Sequence, residues 1–271
     1  MAKQILTIGG SDPFAGGGIQ SDLKTFENHH LFGLSALTSI GVQTPGNTFQ
    51  FFPVEAEVLA QQLASIASEA SLAAIKIGYL HTIENIIVVE HFLRQHAHIP
   101  VVLDPVFAFK ETATQEQADY IEHICTSLFP FADLITPNLI EASLIAQSET
   151  IASISQLNEV AKQIIADYPQ NLLIKGGERL DGPTASDFLF LQNQSSPIQF
   201  DTPKLSTQTV NGAGCTLSSA IAANLALGNT LVSSVESSKK FVTLCIKTGQ
   251  KLQTTGSVWS GGKSWEAQSD E

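Results

Sequence analysis

The stretch that decides the fold runs from residue 5 to residue 29 and reads ILTIGGSDPFAGGGIQSDLKTFENH. It opens with a short apolar run, passes through two clusters of glycines and continues with the apolar spacing of a helix. A strand, a glycine-rich turn and a helix in this order begin a βαβ unit. This stretch therefore predicts an α/β fold.

The same alternation continues along the chain. Further strands are predicted at 36–42, 73–77, 101–103, 134–136 and 172–175, and helices at 20–29, 55–68, 83–94, 115–127 and 154–167. The strands are apolar throughout, which indicates a parallel sheet buried on both faces. Residues 186–191 and 198–201 predict an antiparallel hairpin, and helices follow at 215–227 and 231–247. We expect a doubly wound, mostly parallel sheet with helices on both faces, and one domain over residues 1–271.

Composition excludes several classes of function. The chain has 14 Lys and Arg against 26 Asp and Glu, a formal charge of -12, which repels nucleic acid. Three widely separated cysteines favour a reduced, cytoplasmic protein over a disulfide scaffold. No apolar run reaches 18 residues and the N-terminus lacks a signal-peptide pattern, so we expect no membrane partner.

The glycines near the N-terminus suggest a dinucleotide site, but the pattern is incomplete. Gly16 and Gly18 fit G-x-G-x-x-G, whereas Ser21 stands at the third position. The acidic residue expected about 20 residues further on is missing. A nicotinamide-dependent oxidoreductase is therefore a remote alternative. A second apparent motif, at 262–264, lacks the first glycine and the helix of a phosphate-binding P-loop.

A second glycine segment, Asn211-Gly212-Ala213-Gly214-Cys215, leads directly into an apolar helix. Its glycines allow successive amides to point into one concavity at the positive end of the helix, which suits a phosphoryl group in transfer. Cys215 is predicted as the first helical residue, where the helix dipole lowers the pKa of a thiol. A tight turn followed by a buried small residue is the structural alternative, and this segment alone leaves both open.

Three polar residues follow predicted strands. Asn138 and Glu141 form the pattern of an N-cap with its reciprocal carboxylate, or Glu141 helps to organise Mg²⁺ beside nucleotide phosphates. Asp104 stands at the carboxyl end of a buried strand, where doubly wound sheets bind ligands. An aspartate before a proline also commonly begins a turn.

Several other residues are interpreted as structural. His96 and His98 lack the further ligands that a metal site needs. Cys125 and Cys245 lie in apolar helical patterns and are predicted as core residues. Phe51 and its neighbour Phe52 are predicted as core or interface residues without a stacking role.

Six segments in order carry a resemblance to a known family. They are GSDPFAGGGIQSDLKTF at 10–26, KIG at 76–78, VVLDPV at 101–106, LITPNLIEA at 134–142, IKGG at 174–177 and NGAGCTLSSAIAA at 211–223. Together they resemble the ribokinase superfamily, in the branch of the hydroxymethylpyrimidine/phosphomethylpyrimidine kinases and the related pyridoxal kinases. The resemblance spans nearly the whole chain.

The resemblance implies transfer of a phosphoryl group from ATP, with Mg²⁺, to the hydroxymethyl group of a B-vitamin ring. It implies that Cys215 is the catalytic base and that the segment Gly212, Ala213 and Gly214 stabilises the transferring group. The residues that it implies near the substrate ring are Asp12, Gly17, Gln43, Tyr79 and Val106. Those that it implies near the nucleotide are Lys175, Thr209 and Asn138, with Asp104 and Glu141 near the magnesium ion. Kinases of this branch are commonly homodimers.

The chain departs from the family pattern at three positions. Asn211 stands where the family usually has histidine, and Tyr79 replaces the usual methionine beside the substrate ring. Phe109 occupies the place of the lid cysteine found in some pyridoxal kinases. Gln43 favours hydroxymethylpyrimidine, with its monophosphate as a further substrate, while Tyr79 and the altered lid keep pyridoxal or pyridoxine as an alternative. A non-catalytic ligand-binding module on the same fold is a third hypothesis.

Overall fold

The computed structural model describes residues 1–44, 48–107, 115–177, 179–207, 209–253, 255–262 and 265, with residues 115 and 116 described by their backbone alone. Phe109, at the predicted position of the lid, lies outside this part of the chain.

One nine-stranded sheet runs through the molecule in the order β3-β2-β1-β4-β5-β6-β7-β8-β9. Six adjacent strands, β2, β1, β4, β5, β6 and β7, are parallel to one another. At one edge β3 pairs antiparallel with β2, and at the other edge β8 and β9 continue the sheet with antiparallel pairing. Their bounds are β1 Gln4–Ser11, β2 Phe32–Thr44, β3 Thr48–Pro53, β4 Leu72–Ile77, β5 Val101–Leu103, β6 Leu134–Ile135, β7 Leu172–Gly177, β8 Thr184–Phe190 and β9 Ile198–Pro203.

Helices cover both faces of this sheet. One face packs against α2 (Ala56–Glu69), α3 (Ile83–Gln95), α4 (Gln115–His123), α5 (Leu139–Ile145) and α6 (Ile154–Asp167). The other packs against α1 (Gly18–Asn28), α7 (Ala213–Leu227) and α8 (Leu231–Lys247). Neighbours on one strand, such as Ile5 and Leu6, belong to opposite cores, because side chains alternate across a strand. The predicted fold class is confirmed.

The structure differs from the sequence predictions at three places. Strand β3 was not predicted, and neither was the short hairpin of β10 (Gln250–Lys251) and β11 (Gly256–Ser257). The predicted helix at 115–127 ends as α-helix at His123 and continues as a π-helical turn, Ile124–Leu128, and a 3₁₀ turn, Phe129–Phe131. The unpredicted strands lie in antiparallel hairpins, of β2 with β3 and of β10 with β11, and they have only six and two residues, which is too short for a clear apolar periodicity. Among the described helices, none is both long and apolar enough to cross a membrane.

Two glycines bound α7, and they meet different surroundings. Gly212 is the N-cap with φ +87° and Gly228 is the C-cap with φ +97°, so both adopt the left-handed conformation. A Cβ on Gly212 would lie 1.3 Å from the carbonyl oxygen of Gly16, whereas a Cβ on Gly228 would meet nothing within 4 Å. The two glycine-rich loops therefore pack backbone against backbone, and only glycine at 212 permits this contact.

This contrast predicts unequal effects of the same substitution. Gly228→Ala carries only the backbone strain of a left-handed alanine, and we expect it to lower the free energy of unfolding by about 1 kcal/mol. Gly212→Ala adds a collision between loops, and we expect a loss of more than about 3 kcal/mol. Urea denaturation of both variants measures the difference. Equal losses would contradict the packing of the two loops.

Candidate active site

Two cavities lie on either side of the start of α7. The first, of about 300 Å³, is bounded by the loop at 9–18 and by residues after β4 and β5, and Cys215 contributes to its wall. The second, of about 460 Å³, lies between β7, β8 and α8, and Ala213 and Gly214 contribute to its wall. Both cavities open at the carboxyl ends of parallel strands, which is where doubly wound sheets bind ligands. The first turn of α7 thus separates two potential ligand sites.

Asp12 organises the glycine-rich loop above the first cavity. Its Oδ2 accepts hydrogen bonds from the amides of Gly16 and Gly17, both at 3.0 Å, and its Oδ1 accepts from the amide of Phe14 at 2.9 Å. Asp12 and Gly17, which the resemblance implies near the substrate ring, both line the cavity. Their contact with a substrate stays a prediction. A Cβ on Gly17 would lie 3.6 Å from the Cys215 sulfur, so the thiol faces this loop.

Aromatic rings form one wall of the first cavity. Phe14, Phe49, Phe51 and Tyr79 line it and contact one another in succession, with ring centroids 6.3, 5.1 and 5.1 Å apart. Phe51, predicted as a core or interface residue, therefore contributes to a ligand cavity, because the unpredicted strand β3 brings it there. Such a wall suits a planar ring.

Tyr79 and Val106, two of the predicted substrate residues, line the first cavity. The Tyr79 hydroxyl lies 2.8 Å from Nδ1 of His81, and burial raises the pKa of Tyr79 to about 12, so the phenol is neutral. Gln43 is placed differently. It is exposed near the end of β2, opposite Phe49 in the register, and it is not among the described residues that line the cavity. Its contact with a substrate ring stays a prediction.

A buried ion pair lies beside the second cavity. The Lys175 ammonium is 2.5 Å from Oδ1 of Asp104, which also accepts a hydrogen bond from Thr136 at 3.2 Å. Oδ2 of the same carboxylate accepts from Ser218 of α7 at 3.2 Å. Burial alone would raise the pKa of Asp104, but the charges of Lys175 and Lys76 outweigh it and hold the pKa below its ordinary value. Asp104 is therefore an ionised carboxylate beneath the start of α7.

Asn138 and Glu141 form the predicted cap of α5. The Asn138 side chain accepts from the amides of Ile140 and Glu141 at 2.9 and 3.0 Å, and Oε2 of Glu141 accepts from the Asn138 amide at 2.7 Å. Asn138 also lines the second cavity. Burial raises the pKa of Glu141 to about 7, against the opposing charge of Lys175. The structural role is therefore present, and a role toward a ligand stays a prediction.

Cys215 differs from the prediction in two respects. First, it is the third residue of α7, which begins at Ala213, and not the first helical residue. Second, the pKa of its half-buried thiol is raised and not lowered. Burial raises the pKa of its thiol, although Lys76 and the amide of Gly18 act in the opposite direction. The expectation of a lowered thiol pKa was wrong, because desolvation outweighs the favourable charge of the helix terminus. The resting form is the thiol.

Lys76 lines the first cavity, although no functional role was predicted for it. It is 1% exposed, and its ammonium lies 3.1 and 2.9 Å from the two oxygens of Asp22 on α1. Burial alone would lower the pKa of Lys76, but the charge of Asp22 outweighs it and raises the pKa. Lys76 stands in the KIG segment, and a lysine within an apolar strand was the signal that could have identified it.

The second cavity also contains residues that were not predicted. Lys239 and Asp187 line it and form an ion pair of 2.6 Å in which both side chains are less than 10% exposed. Thr209, predicted near the nucleotide, is 3% exposed, and its hydroxyl donates to the carbonyl of Ile246 at 2.7 Å. Thr209 is absent from the described lining of this cavity. Its predicted contact with phosphate stays a prediction.

Comparisons with known proteins agree on one family. The family model described as phosphomethylpyrimidine kinase matches residues 12–259. A hydroxymethylpyrimidine/phosphomethylpyrimidine kinase of Haemophilus influenzae is 35% identical over 246 residues, which cover 90% of this chain and 91% of that protein. A pyridoxine kinase of Bacillus subtilis is 34% identical over 244 residues, 89% of each chain.

Solved structures give the same result. An ADP complex of Bacillus subtilis pyridoxal kinase superposes with a TM-score of 0.90 at 32% identity, covering 97% of this chain and 98% of that one. A Staphylococcus aureus pyridoxal kinase bound to AMP-PCP and pyridoxal gives 0.88 at 32% identity, with 96% and 94% covered. A phosphomethylpyrimidine kinase of Clostridium difficile gives 0.73 at 32% identity, with 90% and 99% covered. The chain therefore belongs to the phosphomethylpyrimidine kinase family and is a phosphotransferase with a ribokinase-like fold.

Proposed function

We propose that this kinase transfers the γ-phosphoryl group of ATP to the hydroxymethyl group of hydroxymethylpyrimidine, with the monophosphate as a further substrate. The observation that carries the proposal is the position of the first turn of α7 between two cavities. Cys215 faces one cavity, while Ala213 and Gly214 face the other. A group that passes between two bound molecules must cross such a boundary, and positioning supplies most of the catalysis in phosphoryl transfer.

The two cavities suit different ligands. The first has the aromatic wall of Phe14, Phe49, Phe51 and Tyr79, which suits a planar vitamin ring. The second is lined by the cations Lys175, Arg179 and Lys239 together with the apolar residues Leu205, Val242 and Ile246. Cations attract a triphosphate and apolar residues accept a nucleotide base, so we place ATP there. Because Lys175 and Lys239 are paired with Asp104 and Asp187, the charges at this cavity are close to balanced, in contrast to the net charge of -12 of the whole chain.

The chemistry then follows from the residues at the boundary. The substrate hydroxyl oxygen attacks the γ-phosphorus, the bond to the β–γ bridging oxygen breaks, and ADP leaves with that electron pair. The hydroxyl proton passes to the sulfur of Cys215, which acts as the base in its thiolate form. The amides of Gly212 and Gly214 stabilise charge on the transferring group. The predicted contribution of the Ala213 amide is not supported, because this amide donates to the carbonyl of Val210 at 3.1 Å. Lys175 lies beside Gly214, since a Cβ on this glycine would be 3.4 Å from its ammonium.

Magnesium is part of the proposal, and the residues present fit it. Asp104 and Glu141 are buried carboxylates that interact electrostatically with each other and with Lys175. Within the described part of the chain, no group of three or more His, Cys, Asp or Glu could hold a metal ion alone. Mg²⁺ in kinases typically uses one or two carboxylates together with water and phosphate oxygens. We propose that Asp104 and Glu141 hold the ion, which neutralises phosphate charge when bound.

Pyridoxal, or pyridoxine, is the second candidate substrate. The pyridoxal kinases of Bacillus subtilis and Staphylococcus aureus superpose over almost the whole chain, with TM-scores of 0.90 and 0.88. In addition, Gln43, the residue that favoured the pyrimidine, lies outside the described cavity lining. Tyr79, which replaces a methionine in the family pattern, does line this cavity.

Two further expectations belong to the proposal. The three cysteines Cys125, Cys215 and Cys245 are all free, which agrees with a reducing compartment, and we propose a cytoplasmic location. We also propose that the kinase is a homodimer of chains that each form one domain, in accordance with the resemblance to its branch.

Replacing the proposed base tests the chemistry. We expect Cys215→Ala to lower kcat at least about a hundredfold, the usual contribution of a general base. Cys125→Ala is the matched control, because Cys125 is 2% exposed and lies in the core beneath the other face of the sheet. Release of ADP in the presence of the vitamin measures both. Full activity of Cys215→Ala would exclude the cysteine as the base.

The raised pKa of Glu141 predicts a pH-dependent stability. Folded Glu141 keeps its proton up to a pKa of about 7, whereas an unfolded glutamate loses it at 4.5. As the pH rises through this interval, the native protein loses stability relative to the unfolded chain. Glutamine does not titrate, so this loss disappears in Glu141→Gln. The quantity compared is the free energy of unfolding of the variant minus that of the wild type. We expect this difference to be up to about 3 kcal/mol more favourable to the variant at pH 8 than at pH 4. Glu159→Gln, at an exposed position of α6, is the control. Parallel pH profiles of unfolding would contradict the prediction.

Competition between the two vitamins identifies the substrate. With both compounds in one reaction, we expect hydroxymethylpyrimidine to have the higher kcat/KM. Mass spectrometry of the phosphorylated products gives the ratio directly. Preferential phosphorylation of pyridoxal or pyridoxine would establish the second candidate.

A further inference from the structure

Opposite charges alternate in a row beneath the start of α7. Asp22 on α1 pairs with Lys76 on β4, and Asp104 after β5 pairs with Lys175 on β7. All four side chains are at most 10% exposed. The proposed function uses Asp104 and Lys175 but leaves the pair of Lys76 and Asp22 without a role.

Asp22 fixes the Lys76 ammonium in one place. Besides both contacts with Lys76, its carboxylate accepts hydrogen bonds from Thr7 of β1 at 2.6 Å and from Ser219 of α7 at 2.5 Å. The carboxylate therefore has partners on three elements and holds the lysine between them. A Cβ on Gly78 would lie only 2.9 Å from the Lys76 nitrogen, which is too close for a side chain. Glycine at position 78 therefore leaves the space that the ammonium occupies.

Lys76 and Cys215 share the first cavity. Cys215 also interacts with Asp104, Asp22 and Lys175, and its sulfur accepts a hydrogen bond from the amide of Gly18. Of the charged groups around the sulfur, Lys76 has the largest influence, and it opposes the effect of burial. A charge in such a poorly solvated place acts more strongly than it would in water.

We infer that Lys76 is a positioning residue for the reaction, whose ammonium, held by Asp22 at the first cavity, stabilises the thiolate of Cys215. The inference rests on the proposed role of Cys215 as the base. Because burial disfavours a charged sulfur, the thiolate needs a fixed positive charge, and Lys76 supplies it before any ligand binds. Asp22 keeps the lysine charged, since an unpaired ammonium in this place would lose its proton.

Alkylation of Cys215 by iodoacetamide at varied pH tests this inference without requiring turnover. Cys125 and Cys245 are each 2% exposed, and burial raises the pKa of each to about 12, so the Cys215 peptide can be followed selectively by mass spectrometry. In Lys76→Met we expect the midpoint of the pH profile to rise by about one unit or more. At a pH below both midpoints, the alkylation rate should fall at least about tenfold.

The single variant leaves Asp22 buried without its partner, which destabilises the fold, so the double variant Lys76→Met/Asp22→Asn is measured beside it. Replacing both members of a buried pair is often nearly neutral for stability, and we expect the same direction of shift. Lys239→Met/Asp187→Asn is the matched control, because it removes another buried ion pair that lines only the second cavity. Its midpoint should equal that of the wild type.

A purely structural role for Lys76 would leave the alkylation midpoint of a folded variant unchanged, and that result would overturn the inference. An equal shift in the control pair would do the same, because it would show an effect unrelated to the neighbouring charge. Failure of the proposed function is a separate outcome. If Cys215→Ala keeps its activity while the alkylation midpoint still moves in the Lys76 variants, the charge acts on the sulfur but the sulfur is not the base.

Discussion

Two buried ion pairs at the carboxyl edge of the sheet, Lys76 with Asp22 and Lys175 with Asp104, are the constraint on which the rest of the site depends. Such pairs contribute little net stability, because desolvation offsets most of the attraction between the charges. Breaking one is nevertheless costly, since it leaves a buried charge without a partner. The pairs therefore fix the arrangement of the elements that carry them.

The start of α7 is tied to both pairs by neighbouring side chains. Ser218 donates to Asp104 and Ser219 donates to Asp22. The first turn of the helix is therefore held above the charge row, with Cys215 directed toward one cavity and the residues Ala213 and Gly214 bordering the other. The backbone contact between Gly212 and Gly16 closes the same arrangement from above. A phosphotransferase needs this rigidity, because the reacting atoms must meet without a cost of reorganisation.

The proposed ATP site lies in an acidic protein. The net charge of -12 is an average over the whole chain, while Lys175, Arg179 and Lys239 line one cavity. Asp104 and Asp187 neutralise two of these cations in the described structure. The cavity therefore presents a balanced set of charges and backbone amides to a phosphate. Over longer distances, salt screens the repulsion from the surface of the protein.

The sequence by itself determined the order and type of most elements, because apolar periodicity and glycine positions are local properties. The resemblance to the family implied that Asp12, Tyr79 and Val106 lie near the substrate of a reaction at Cys215. These four residues line the first cavity, whereas Gln43, implied with them, is not in its described lining. These positions follow strands or begin helices. Their meeting at one edge is a consequence of parallel topology.

Only the tertiary structure decided the partners and the charge states. The pairing of Lys76 with Asp22 joins residues 54 positions apart, and β3 brings Phe51 to the cavity through its pairing with β2. The raised pKa of the Cys215 thiol reverses the prediction from its place at a helix start. Burial and through-space distance determine these properties, and a local pattern of residues contains neither, because desolvation depends on every element that packs around a group.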